Sequence, residues 1–349
     1  MSGGQKRRFR FVALVVSLAL LALSGCGSQR AVDHEQWGSE EKIVITFSHV
    51  VAENTPKGLA ARRFANLVRE KSKGRMLVEV FPNGQLAGDG EEIQALQDGR
   101  VHLIAPSTGK LAALFPAWQV FDLPYAFPDQ EAVVTTMEGP IGQKLFRTLQ
   151  RGGLRGLVMW DNGWKQMTSS RRPLITPEDF VGQRFRVQPS RVLVEQFKAL
   201  GATAVAIPFD QTFRALETRQ VDGQENTPSN IYWKKFHEVQ WYMTVSNHGY
   251  LGYVVLTNNL YWENLPKDVQ LILTEALAET TAWVRENAGR LNERDLDHIR
   301  MGRIEVHFQT EQERKAWKAA FSPVYDYFAR EVDAERIQAI RELERKQEP

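Results

Sequence analysis

Ile43-Val44-Ile45-Thr46-Phe47-Ser48, Thr55-Pro56, Met76-Leu77-Val78-Glu79-Val80-Phe81 and Val101-His102-Leu103-Ile104-Ala105 together set the fold class of this chain. From Lys42 to Ser48, Ile43, Ile45 and Phe47 alternate with other residues, the period-two signature of a strand. Thr55-Pro56 supplies a helix cap and a first-turn proline, and Leu59, Phe64, Leu67 and Val68 follow at helical spacing until Gly74. Met76 to Phe81 reads as a second strand, Asn83-Gly84 as a turn, Glu91 to Gln97 as a short helix and Val101 to Ala105 as a third strand. This βαβαβ alternation predicts an α/β fold with a largely parallel sheet.

Outward from that unit the rhythm restarts after Gly153. Leu157 to Trp160, Arg184 to Gln188 and Thr203 to Ile207 are strand candidates. Ser190 caps a helix carrying Leu193, Val194, Phe197 and Leu200 that closes at Gly201, and Asp210 caps another carrying Phe213 and Leu216. A second βα series in a chain of 349 residues, about twice the ~100–200 of one domain, predicts two lobes. From Pro266 to about Arg300 no proline interrupts an apolar helical pattern, which fits either one helix of roughly 50 Å bridging the lobes or two helices broken near Gly289. The part from Glu311 onward is charged and helical, with a break at Pro323.

The N-terminus reads as an export signal. Lys6, Arg7, Arg8 and Arg10 precede an uncharged, mostly apolar run from Phe11 to Leu23, short of the ~20 residues that a spanning helix needs. Leu23-Ser24-Gly25-Cys26 looks like a bacterial lipobox, in which Cys26 takes a diacylglyceryl group before cleavage. Residues 1–25 are then a lipoprotein signal peptide, and residues 26–41 are the lipidated cysteine and a polar, flexible tether. Removing the signal takes the formal charge from +2 to −2 and leaves the working protein outside the cytoplasm, at the periplasm or cell surface.

Composition and motifs exclude several classes. Forty-four basic against 42 acidic residues is too balanced for nucleic-acid binding by phosphate neutralisation. One cysteine makes neither an internal disulfide nor a cysteine-based metal site, and His34, His49, His102, His237, His248, His298 and His307 have no metal-ligand spacing. There is no phosphate loop, nucleophile elbow or zinc motif, and Gly88-Asp89-Gly90 fails as a dinucleotide loop because Ile93 stands at the third glycine position. The sequence therefore predicts no enzyme, no metal and no cofactor.

Several segments are distinctive together: Ser48-His49-Val50-Val51 with Thr55-Pro56-Lys57-Gly58, Trp160-Asp161-Asn162-Gly163-Trp164-Lys165, Gly182-Gln183-Arg184-Phe185-Arg186-Val187 and Val221-Asp222-Gly223-Gln224-Glu225-Asn226. With Asn226-Thr227-Pro228-Ser229-Asn230 and Ser246-Asn247-His248-Gly249-Tyr250, the set resembles the solute-binding proteins of tripartite ATP-independent periplasmic (TRAP) transporters, closest to their C4-dicarboxylate-binding, DctP-type branch. The resemblance runs from about Lys42 to the C-terminus. It implies a periplasmic-binding-protein-like fold with hinge strands and a long helix bridging two lobes: residues 42–160 with about 251–290, and residues 161–250 with about 291–349. It also implies closure on a small organic anion and delivery to large and small membrane subunits. The lipobox departs from the freely soluble member usual in the family. Receptors for sugar acids, oxo-acids or aromatic acids, and a ligand-sensing partner of a signalling protein, remain as alternatives.

Individual residues support this reading. Arg186 lies mid-strand between Phe185 and Val187, where a buried guanidinium needs a partner and a ligand carboxylate offers a bidentate one; the resemblance gives it that salt bridge. Lys165 stands where many relatives place a second arginine and would suit a second carboxylate. Asn226 corresponds to an asparagine that bonds the ligand, or it makes a local turn. His49 ends the first strand, where open α/β sheets present ligands, or it bonds the loop. Phe209 packs on the ligand or in the core, and Lys57 adds positive potential at its helix start or faces solvent. Ser107 and Thr108, after the third strand, are weaker candidates.

Overall fold

In the computed structural model, residues Lys42–Asp333 are described. The signal, Cys26 and the tether lie outside the described residues. Nine strands form one mixed sheet: β1 (Ile43–Ser48), β2 (Met76–Phe81), β3 (Leu103–Ile104), β4 (Leu154–Ser169), β5 (Arg184–Val187), β6 (Thr203–Ala206), β7 (Gly223–Asn226), β8 (Tyr242–Asn258) and β9 (Glu305–Phe308). The helices are α1 (Pro56–Lys71), α2 (Glu92–Gln97), α3 (Thr108–Leu111), α4 (Gln130–Glu138), α5 (Pro140–Leu149), α6 (Arg191–Ala199), α7 (Thr212–Glu217), α8 (Pro228–Trp233), α9 (Asn259–Asn264), α10 (Lys267–Arg300), α11 (Glu311–Ala320) and α12 (Ser322–Glu331).

The strand order is β2-β1-β3-β8-β4-β7-β5-β6, with β9 added to β8. β1 is parallel to β2 and β3, and β5 is parallel to β6 and β7, as the two βα series predict. The two groups are joined by the long antiparallel pair β4 and β8, whose register shifts three times along its length. β3 joins this pair at Leu256 and Thr257 of β8, whereas β7 joins it at Gln166 to Ser169 of β4. Two lobes thus share one sheet through a two-stranded connection. β7 and β8 lie outside the strands expected from the sequence, and β4 extends far beyond Leu157 to Trp160.

Two apolar cores lie on opposite faces of the sheet. Along β8, Leu251, Tyr253 and Val255 enter one core, while Tyr250, Val254 and Leu256 enter the other, as strand alternation requires. α1 and α10 cover the first face with Phe64, Val68, Leu273, Leu277 and Val284. α6, α11 and α12 cover the second with Val192, Phe197, Trp317 and Phe328. Each fully buried Phe contributes about 1.5–3 kcal/mol by leaving water. Thr55 caps α1 by accepting from the Gly58 amide, and Pro56 occupies the first turn.

α10 is one continuous helix through Gly289, so the bridging alternative holds. Near one end Lys71 of α1 pairs with Glu275 and Glu279. Further along, Asn292 accepts from the Ser229 amide at 3.0 Å and donates to the Asn162 carbonyl at 2.6 Å, and Trp233 donates to Asp295 at 3.0 Å. The break between α11 and α12 falls at Phe321, and Pro323, where the sequence predicts the break, occupies the first turn of α12. Ser190 and Asp210 provide no side-chain cap: α6 starts without one, and Asp210 lies within a 3-10 turn before α7. Among the described residues, no helix is long and apolar enough to cross a membrane.

Candidate functional site

The C-terminal ends of the parallel strands converge, and most of the sequence-derived candidates sit there. His49 follows β1, Lys57 opens α1, Ser107 and Thr108 follow β3, Arg186 lies in β5, Phe209 follows β6 and Asn226 ends β7. Ligands of open α/β sheets are presented at such ends because helix N-termini and free loop amides gather there.

Arg186 is 1% exposed. Its Nε donates to the Ile207 carbonyl at 2.9 Å, and its guanidinium faces the Phe209 ring at 5.8 Å. Among the described residues, its two Nη atoms have no hydrogen-bond partner and no carboxylate stands within ion-pair distance. Burial lowers its pKa, and the more distant Asp89 and Glu225 only partly offset that effect. The fork needed for a planar anion is therefore desolvated, held at one end and free at the other.

Asn226 is equally buried. Its Oδ1 accepts from the Thr227 amide at 3.0 Å and from Asn230 Nδ2 at 2.8 Å, and these bonds leave Nδ2 as the end without a partner among the described residues. Asn230 Nδ2 also donates to the Tyr253 hydroxyl at 3.0 Å. β5 and β7 pair Arg186 with Gln224, so Arg186, Gln224 and Asn226 share one face of the sheet.

Lys57 points inward and is fully buried, so its solvent-facing alternative is wrong. Its Nζ donates to the Ala105 carbonyl at 2.8 Å and sits 3.7 Å from the centre of the Tyr253 ring. Burial brings its pKa down to about 8 against the opposing pull of Glu92 and Asp89. His49 is buried beside it, and burial with the Lys57 charge depresses its pKa to about 3, so the ring is neutral. Among the described residues the ring makes no hydrogen bond of normal geometry, and the Val51 backbone only partly offsets the depression. Ser107 caps α3 through the Lys110 amide, and the Thr108 hydroxyl is buried without a partner.

Lys165 is placed differently. Its Nζ is 2.5 Å from Glu225 Oε1, and both side chains are 3% exposed. Glu225 and Asn226 are successive residues of β7, so their side chains leave the strand on opposite faces. Glu225 also accepts from Gln196 at 2.9 Å and contacts His248 Nε2 at 2.8 Å, while His248 Nδ1 meets the Ser246 hydroxyl at 2.8 Å. Burial pushes the Glu225 carboxyl up, but Lys165 and His248 overcome this and hold it well below the usual carboxylate range. Burial keeps His248 neutral despite Glu225, which assigns Nε2–H as the donor to Glu225. Gly249 makes room here: a Cβ on it would lie 2.6 Å from Lys165 Cε.

Among the described residues, four lysines and arginines are buried: Lys57, Lys110, Lys165 and Arg186. Lys110 is paired with Glu92 at 2.9 Å and Asp89 at 3.3 Å, and Lys165 with Glu225. Lys57 and Arg186 have no ion pair among the described residues. An unpaired buried charge is costly, and two of them next to Tyr253 and Asn226 form a site built for added negative charge. The sequence reading singled out neither Glu225, His248 and Tyr253 nor Asp89 as functional.

Residues 47–331 match the DctP family model, described as bacterial extracellular solute-binding protein, family 7. The C4-dicarboxylate-binding protein DctB of Bacillus subtilis is 48% identical over 319 residues, 91% of this chain and 91% of the relative. The TRAP periplasmic solute-binding protein of Sulfurospirillum deleyianum, solved with bound succinate, is 39% identical with a TM-score of 0.84, covering 87% of this chain and 99% of that one. A sugar-acid-binding protein of Advenella mimigardefordensis, solved with galactonate, has the same TM-score at 34% identity, covering 88% of this chain and 99% of that one. With its fold and its unpaired buried cations, the chain belongs to the DctP family of bacterial extracellular solute-binding proteins and is a binding receptor rather than an enzyme.

Proposed function

We propose that this receptor binds a C4-dicarboxylate between its lobes and hands it to the large and small membrane subunits of a TRAP transporter. The observation that carries the reading is the pair of buried, unpaired cations, Arg186 and Lys57, which match a ligand with two carboxylates. Arg186 grips one carboxylate through its free fork, assisted by the Asn226 amide, with Phe209 packed against the guanidinium. Lys57 and the neutral His49 receive the other carboxylate. The diacid role that the sequence suggested for Lys165 passes to Lys57, because Glu225 already neutralises Lys165. Lys165 then acts by holding Glu225 and, through it, the β7 strand that presents Asn226. Closure swings residues 42–160 with 251–290 against residues 161–250 with 291–349 about β4 and β8, and desolvation strengthens the new pairs.

The similarity to a galactonate-bound relative supports a second reading, a sugar acid that uses one carboxylate and several hydroxyls. Calorimetry with succinate, butyrate and galactonate separates the two. Tighter binding of succinate than of either other acid is expected, and preference for galactonate or equal binding of butyrate overturns the diacid reading. We further propose that Cys26 is lipidated after cleavage of residues 1–25, tethering the receptor to the outer face of a membrane through residues 26–41.

A further inference from the structure

β2 and β6 are the first and last strands along the eight-strand path of the sheet, yet the loops that follow them meet. Asp89, in the turn after β2, accepts the Phe209 backbone N–H at 2.8 Å through Oδ2. Its Oδ1 is held by Lys110 at 3.3 Å, and Lys110 is fixed in turn by the buried Glu92. The two loops approach so closely that a Cβ on Gly88 would lie 3.5 Å from Asp210 Oδ2. The loop that Asp89 fastens is the one Arg186 holds from within through the Ile207 carbonyl. Outside this junction a cavity of about 370 Å³ remains between the loops, lined by Asp89, Gly90 and Lys110 on one side and Pro189, Ile207 and Pro208 on the other. The contact is thus a bond across a cleft rather than part of a continuous core.

We infer that Asp89 is the latch of closure: its carboxylate fastens the Phe209 amide across the cleft and sets how long a bound carboxylate is retained. The inference rests on the receptor reading above. A charge-assisted bond from a backbone N–H is strong, and Lys110 orients the carboxylate for it before closure. The latch touches the Phe209 backbone, so its effect is the same for every ligand that occupies Arg186.

Stopped-flow release of succinate and of butyrate from the full chain tests this with Asp89→Ala, Asp89→Asn and Asn83→Ala. Asn83 carries an exposed bond between the same halves, accepting from Lys234 at 3.1 Å. Asp89→Ala is expected to speed release of both acids about 10- to 150-fold, with association little changed. Asp89→Asn keeps an acceptor without the charge and falls between. Asn83→Ala stays within about threefold. Three results overturn the latch: release from Asp89→Ala within threefold of the parent, an Asp89→Ala effect confined to succinate, or tighter binding by Asp89→Asn. The last would mean that Asp89 competes with the ligand for Arg186. If the parent binds neither acid, the dicarboxylate reading fails by itself, and hydrogen exchange at the Phe209 amide decides the latch. Protection lost in Asp89→Ala and kept in Asn83→Ala supports it; equal exchange overturns it.

Discussion

Replacing Arg186 with Ala separates binding from stability. In the closed site the guanidinium is the bidentate partner proposed for one ligand carboxylate, and truncating one member of a buried charged pair costs about 2–5 kcal/mol. That corresponds to a loss of roughly 30- to 5,000-fold in affinity. Without ligand, Arg186 makes one hydrogen bond, to Ile207, and has no ion pair among the described residues. Removing it gives up that bond but also relieves a buried cation of its desolvation penalty, a matter of several kcal/mol. The unliganded variant is therefore expected to melt no lower than the parent. At 100 times the parent Kd, ligand stabilises the parent by about 2.7 kcal/mol, a shift on the order of 5 °C for a chain of this size. At the same concentration the variant gains less than about 1 kcal/mol. Arg186→Lys keeps the charge without the fork and recovers only part of the affinity. Scanning calorimetry and titration with succinate give both quantities. An affinity within fivefold of the parent, or an unliganded melting point lowered by more than about 6 °C, would refute the reasoning and make Arg186 a structural residue.

Lys57→Met is expected to weaken succinate at least about tenfold more than butyrate, because the monoacid lacks the carboxylate assigned to Lys57; equal losses in titration calorimetry reject that assignment. Lys165→Met leaves Glu225 buried without its cation and is expected to destabilise the unliganded fold by about 3–5 kcal/mol in urea titration, whereas an unchanged urea midpoint contradicts the Lys165–Glu225 pairing. Burial raises the Asp122 pKa to about 6 against the pull of Lys165, so its favourable contribution is complete below pH 4 and is lost as pH rises through 6. Asp122→Asn should therefore gain up to about 3 kcal/mol over the parent at pH 7.5 and far less at pH 4.5; the same difference at both pH values argues against a buried, raised carboxyl. Cys26→Ala should abolish metabolic labelling with palmitate, and persistent labelling places the lipid elsewhere.

Much of the fold is legible in the sequence because its determinants are local. β1, β2, β5 and β6 lie within a residue or two of the expected strands, and α1 begins at its Thr55-Pro56 cap, since alternation and capping act over a few residues. β8 lacks that alternation, because its run from Tyr250 to Leu256 is apolar on both faces and periodicity alone does not mark such a run as a strand. Most of its 17 residues are buried on both faces of the sheet, and Ser246, His248 and Thr257 are among them because distant partners satisfy their polar groups. The continuity of α10 through Gly289 is likewise decided by packing. The space a Cβ would take there is open, and the buried row from Val269 to Ile299 rests on elements from both ends of the sheet.

The same division runs through the site. The sequence by itself determined that Arg186 is a cation placed in a strand, where burial makes a charge partner necessary, and that Lys165 is a cation just beyond another expected strand, Leu157 to Trp160. It could not determine which of them already has one. Glu225 lies 60 residues from Lys165 and reaches it only because β7 pairs with β4. Lys57, read from the sequence as exposed or inward, is turned onto Tyr253 by the packing of α1 against the sheet. Residue type and spacing fix where charge is placed along the chain. Whether that charge is neutralised within the protein or left for a ligand depends on distances between strands far apart in sequence, and those are set by tertiary pairing alone.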